Sequence, residues 1–156
     1  MRIQSEAIRE GEMVPVKYTC DGADVSPTIS WSGAPAGTKS FVIIFDDPDI
    51  SPAGRERLGI EVFDHWVLYN IPPDETSIPE GASAGTTGLN SLGEAKYMGP
   101  CPPDKEHRYF LKLYALDTML SLPAGATKAQ VEESMKRHIL TTAQVMARYV
   151  RPESHS

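Results

Sequence analysis

The segment Phe41-Val-Ile-Ile-Phe45 is apolar at every position and ends against Asp46-Asp47-Pro48-Asp49. Successive side chains of a strand point to opposite faces, so an unbroken apolar run predicts a central strand covered on both sides. Trp66-Val-Leu-Tyr69 is a second run of the same kind. Both are far shorter than the ~20 apolar residues that a membrane helix needs. The chain must therefore build a sheet with something packed on each face. Its 156 residues suffice for one domain with a sizeable core.

The 13 prolines and 12 glycines are scattered as turns between short apolar runs, the pattern of a mainly β domain. Strands are predicted over Val14–Thr19, Thr28–Trp31, Ser40–Asp46, His65–Ile71 and Arg108–Leu116. One helix is predicted over Lys128–Tyr149. Thr127 and Gln130 make a capping-box pattern at its start, and Val131, Met135, Ile139, Thr142, Met146 and Tyr149 form an apolar stripe. A single domain is expected over residues 1–152, with 153–156 as a frayed tail.

Charge excludes some functions. The net charge is -6, with no basic stripe, which disfavours nucleic acid and anionic membrane surfaces as partners. Arg2, Glu6, Arg9 and Glu10 leave no apolar leader at the N-terminus, so a cytoplasmic location is expected. Cys20 and Cys101 fit neither a paired CxxC zinc site nor a disulfide-rich scaffold. Two reduced thiols are expected for an intracellular chain, and one long-range bridge stays open.

Three segments could carry chemistry. Asp46-Asp47-Pro48-Asp49 leaves the most apolar strand; it reads either as a solvated Asp-Pro-Asp turn or as a site. A 17-residue connection, Pro48–Asp64, leads to His65 at the mouth of the next strand. If the two strands run antiparallel, Asp47 and His65 come within hydrogen-bonding reach. Gly99-Pro-Cys-Pro-Pro103 is a stiff turn in which only Gly99 and Cys101 keep an N–H, a candidate anion nest, and His107 follows at another strand mouth. The plain alternative is a rigid connection with an incidental histidine. The chain has no HExxH, GxxxxGK[ST] or GxGxxG, so metal and nucleotide motifs are unsupported. A pocket rich in hydrogen-bond donors, with two imidazoles, suits a phosphate or a carboxylate.

These residues carry a resemblance. Tyr18-Thr-Cys-Asp-Gly22, Ser26-Pro27, Trp31, Asp47-Pro-Asp49, His65-Trp-Val-Leu-Tyr-Asn-Ile-Pro72, Gly99-Pro-Cys-Pro-Pro103, His107-Arg-Tyr109 and Tyr114-Ala-Leu116 resemble the phosphatidylethanolamine-binding protein family, in its bacterial and archaeal, Raf-kinase-inhibitor-like branch. The resemblance implies a large antiparallel central sheet with a smaller sheet on one face and a C-terminal α-helix on the other. It implies an anion pocket walled by Asp47, His65, His107 and Tyr109, with Gly99, Cys101, Pro102 and Pro103 as the enclosing turn. Family members bind phosphate, acetate or phosphorylated head groups, and several inhibit serine proteases or kinases.

The chain departs from the family pattern in reading Asp-Ile-Ser-Pro52 after Pro48, in the charged stretch Asp104-Lys-Glu106, and in ending soon after its helix, which implies a more open pocket. The resulting expectation is a non-catalytic, regulatory binder of a small anion, without metal or cofactor and with a homodimer open. A protease or kinase inhibitor is the alternative, through Asp49–Phe63 or Asp74–Asn90, and a hydrolase is the weaker one. If His65 and His107 bind as imidazolium ions, affinity should fall between pH 6 and 8.

Overall fold

A computed structural model describes residues 1–152; the expected tail, 153–156, lies outside the described residues. Ser40–Asp47 (β3) is buried at all eight positions and sits in the middle of a five-stranded sheet. Its neighbours are Phe63–Ile71 (β4) and His107–Leu116 (β7), both antiparallel to it. The edges are Thr86–Thr87 (β6) beside β4 and Ile139–Tyr149 (β8) beside β7.

The pleat of β3 sorts the core into two halves. Phe41, Ile43 and Phe45 face Ile29, Trp31 and Ile78 of a second sheet, made of Arg2–Gln4 (β1), Ile29–Ser32 (β2) and Ser77–Ile78 (β5). Val42 and Ile44 face the other way, onto Val131 and Met135 of the helix Lys128–Met135 (α2). The unbroken apolar run is thus explained by cover on both sides. A charged cluster on the helix side holds α2 down. Lys112 and Lys128 lie 3.1 and 3.4 Å from Asp46 Oδ2. Lys128 also stands 2.8 Å from Asp64 Oδ1, as a charge contact outside hydrogen-bond alignment.

Two sequence expectations are corrected. The capping box of Thr127 and Gln130 forms, but the helix ends at Met135, and Ile139–Tyr149 is strand β8. The four-residue spacing continued past Met135 only by coincidence: Ile139 is 43% exposed, whereas Val145, Ala147 and Tyr149 alternate into the core with the period of a strand. Arg137, at φ 69°, makes the left-handed corner between helix and strand. Val14–Thr19 is not a strand either. Pro15 has no N–H to donate, and the chain turns into a 3-10 turn at Val16–Tyr18 after a single bridge from Met13 to Arg148.

The long connection after β3 contains a second helix, Pro52–Leu58 (α1). Ser51 caps it by accepting from the Gly54 N–H, Pro52 takes the first helical position, and Gly59 closes it at φ 67°. Arg55 pins it to the preceding turn by donating to the Pro48 and Ile50 carbonyls and pairing with Glu61.

Candidate functional site

All eight residues singled out in the sequence, Asp47, His65, Gly99, Cys101, Pro102, Pro103, His107 and Tyr109, line one cavity of about 250 Å³ at the end of the large sheet. The fold gathers them from the end of β3, the start of β4, the start of β7 and the 99–103 turn. The three aspartates after Phe45, which would repel one another in one place, are distributed by the pleat and the turn. Asp46 points to the helix side and its lysines, Asp47 to the cavity, and Asp49 to Arg108. Arg108 clamps Asp49 with Nε and Nη2 at 2.8 and 2.9 Å and a backbone N–H at 2.9 Å, which holds the carboxyl down to about 2.

The expected Asp47–His65 contact is replaced by another. Asp47 Oδ2 lies 2.7 Å from His107 Nδ1, and its Oδ1 accepts from the Asp49 N–H. A register irregularity between Phe45 and Asp46 pairs Asp47 with Phe63, so His65 lies further along β4. His107 Nε2 faces Asp104 Oδ1 at 2.7 Å, so both of its ring nitrogens are taken by carboxylates. A neutral ring supplies one proton for these two contacts; the second must come from protonation within the Asp47–His107–Asp104 chain. Burial pushes the Asp47 carboxyl up, against the opposing pull of His107 and the Asp49 N–H.

His65 takes the opposite state from the expected imidazolium. It is buried, and burial pushes it from 6.5 down to about 4. Its Nδ1 lies 2.7 Å from the Met98 carbonyl, which only accepts, so Nδ1 keeps the proton and Nε2 presents a lone pair. The ring packs edge-on against Tyr109, with centroids 5.4 Å apart. The Tyr109 hydroxyl is buried and has no hydrogen-bond partner among the described residues. Burial and Asp47 push it up, so it stays protonated.

The turn supplies fewer donors than expected. The Gly99 N–H is already committed to Asp24 Oδ1 at 2.8 Å, which leaves Cys101 as the turn's one amide without a partner among the described residues. The expectation of reduced thiols is overturned, since Cys20 and Cys101 form a disulfide. The Cys20 N–H donates to the Pro100 carbonyl, which brings the two segments together across 81 residues. Gly99 is required by close approach: a Cβ there would collide with the Tyr18 carbonyl and the Asp24 carboxylate. Gly99→Ala is expected to lower stability by about 2 kcal/mol in urea denaturation, the usual scale of overpacking. An unchanged midpoint would show that the 18–24 segment yields freely.

Sequence reasoning missed the outer wall. Ile50, Leu58, Phe63, Leu92 and Met98 make the cavity largely apolar, and Arg57 on α1 adds a cation. Arg57 makes no ion pair among the described residues. The signal was present in Ser51-Pro52 and Gly59, which punctuate a short helix inside the connection. The two segments offered as inhibitor contacts contain regular structure. One forms α1 and the cavity wall; the other contributes β5 and β6. Among the described residues, no group of three or more His, Cys, Asp or Glu side chains is placed to hold a metal ion, and no helix is long and apolar enough to cross a membrane.

The comparisons with known proteins agree with this architecture. A UPF0098 protein of Chlamydia trachomatis is 43% identical over 150 residues, covering 96% of this chain and 98% of its own. A UPF0098 protein of Methanothermobacter thermautotrophicus is 41% identical, covering 97% and 99%. A crystal structure of a Chlamydia trachomatis phosphatidylethanolamine-binding protein homologue superposes with a TM-score of 0.91 at 41% identity, covering 97% of each chain. YbcL of E. coli, described as a member of the mammalian family, gives a TM-score of 0.85 at 30% identity, covering 97% and 98%. Residues 4–150 match the model of the same family, and the chain belongs to the phosphatidylethanolamine-binding proteins.

Proposed function

We propose that this protein is a non-catalytic binding module for a small oxyanion of the phosphate type, held in the cavity between β3, β4, β7 and α1. The observation that carries the reading is the Tyr109 hydroxyl, a buried donor with no hydrogen-bond partner among the described residues, in the wall of a cavity that Cys101 and Arg57 also line. A buried polar group left unpaired costs about 1–3 kcal/mol, which an anion accepting from it would recover. The turn, made stiff by Pro100, Pro102 and Pro103, holds the amide in place without ordering on binding.

Binding without turnover is supported by how one of the two cavity histidines and the candidate nucleophiles are engaged. Both nitrogens of His107 face carboxylates, so it has none free to serve as a base. The Ser51 oxygen caps α1, and Cys101 is in the disulfide. Neither the 49–63 nor the 74–90 segment offers an observation of its own in favour of protease or kinase inhibition.

Titration calorimetry with inorganic phosphate at pH 7 tests the reading. Micromolar to millimolar affinity is expected, together with about a tenfold loss in Arg57→Ala, the worth of one charge-assisted contact. Tyr109→Phe should weaken binding by a similar factor. Absence of heat and of ligand-induced spectral change in the wild-type protein would dispose of the proposal.

A further inference from the structure

The Asp47–His107–Asp104 chain runs from the cavity to bulk water. Asp47, at the inner end, lines the cavity, and His107 in the middle is buried. Asp104, at the outer end, has a side chain 35% exposed and belongs to the stretch 104–106, in which all three residues are exposed. Both nitrogen–oxygen contacts are 2.7 Å, a separation at which a hydrogen must lie between the two atoms. Two carboxylates and a doubly protonated ring carry one net negative charge. With a singly protonated ring they carry two, and a ring lone pair confronts a carboxylate. That confrontation has one easy release. Asp47 is also held by the Asp49 N–H, whereas Asp104 is otherwise tied only to the N–H of its neighbour Lys105. Loss of the second proton therefore frees Asp104 into water and leaves the inner pair intact. The other ionisable groups around His107 do not supply that proton. From β4, His65 is kept neutral by burial, and from β3, Asp49 is held as a carboxylate by Arg108. Tyr109 keeps its hydrogen, and Tyr149, the register partner of His107 on β8, donates its own to Asp21.

We propose that anion binding in the cavity is coupled to uptake of one proton by the Asp47–His107–Asp104 chain, with Asp104 as the latch that this proton closes. This rests on the oxyanion-binding reading above and adds its regulation by pH. An anion beside Asp47 favours the form of the chain with less negative charge, so it draws in the second proton. When Asp104 swings out, His107 Nε2 is uncovered and takes the proton from water, and the returning carboxylate closes over it. Linkage makes the effect reciprocal: affinity falls as pH rises through the range in which the empty chain gives this proton up.

Asp104→Asn removes the need for the second proton, because its amide N–H can donate to a neutral ring whose one hydrogen goes to Asp47. Calorimetry with inorganic phosphate at pH 8, in two buffers of different ionisation heat, counts the protons taken up on binding. The ligand's own contribution cancels in the difference between wild type and variant. Wild type should take up more protons than Asp104→Asn, by up to one per phosphate. At the same pH the variant should bind phosphate about tenfold more tightly, the scale of one unit charge acting over a few ångströms near a protein surface. At pH 5.5 the two proteins should agree within a few-fold. Glu106→Gln removes a carboxylate from the same stretch without touching the chain, and it should behave as wild type. Equal proton counts in wild type and Asp104→Asn, or the same change in Glu106→Gln, would overturn the coupling while leaving the oxyanion pocket standing. Absence of binding heat in all three proteins would remove both.

Discussion

Reducing the Cys20–Cys101 disulfide is expected to remove about 4 kcal/mol of folding stability, the chain-entropy scale for a closed loop of this length. The bridge joins residues 81 apart and fastens the Gly99–Pro103 turn to the segment around the Val16–Tyr18 turn. Few other contacts hold these segments together. The direct ties are the Cys20 N–H to Pro100, the Tyr97 hydroxyl to the Tyr18 carbonyl at 2.6 Å, and the Gly99 N–H to Asp24. The loss should therefore be local as well as global. The turn carries Cys101, Pro102 and Pro103 into the cavity, so phosphate affinity should drop together with the urea midpoint. Urea denaturation with and without a thiol reductant, repeated on a Cys20→Ser, Cys101→Ser variant, measures the first effect. The reduced wild type and the double variant should coincide. A midpoint that ignores the reductant would mean that the hydrogen bonds alone fix the turn.

Acid should destabilise the protein through His65. Its folded value of about 4 lies below the 6.5 of an unperturbed histidine, so the unfolded chain binds more protons between those limits and stability rises with pH there. The contribution is fully present above pH 6.5 and is lost as the pH falls through about 4. The interval corresponds to about 3 kcal/mol. Between pH 7 and pH 4, the stability of wild type relative to His65→Gln should shift against the wild type by about that amount. Taking the difference removes the carboxylates that titrate in both proteins. A gap that stays constant with pH would mean that water reaches the ring and that burial does not govern its charge.

The sheet and the location of the site were legible in the sequence for the same reason. Phe41–Phe45 has no polar position to offer solvent, so its strand had to be central, and whatever followed it had to lie at a sheet end. His107 opens its strand, and His65 lies two residues inside its own. Pairings were not legible, because they depend on register. One irregularity beside Phe45 gives Asp47 to His107 and leaves His65 to Met98. The charge state of His65 follows from burial, which no local sequence pattern reports. The end of α2 escaped notice because Val131, Met135 and Ile139 keep helical spacing across a corner that only the left-handed Arg137 reveals. The helix that brings Arg57 to the cavity was written in its caps, yet a seven-residue element is too short to show periodicity.

The way the large sheet ends has a consequence for life at high concentration. The Phe41–Phe45 run of its core strand is the kind of apolar, charge-free segment that could template stacked fibrils if neighbouring molecules added strands at an edge. One flank offers only the two residues of β6. On the other, Met146 and Arg148 are already engaged by the backbone or side chains of Glu10, Gly11, Glu12 and Val14, and the pairing slip beside Ala115 leaves Leu140 as an extra, kinking residue in β8. An incoming chain meets no long straight template on either flank, and the molecule is protected against polymerising through the strand that makes it fold.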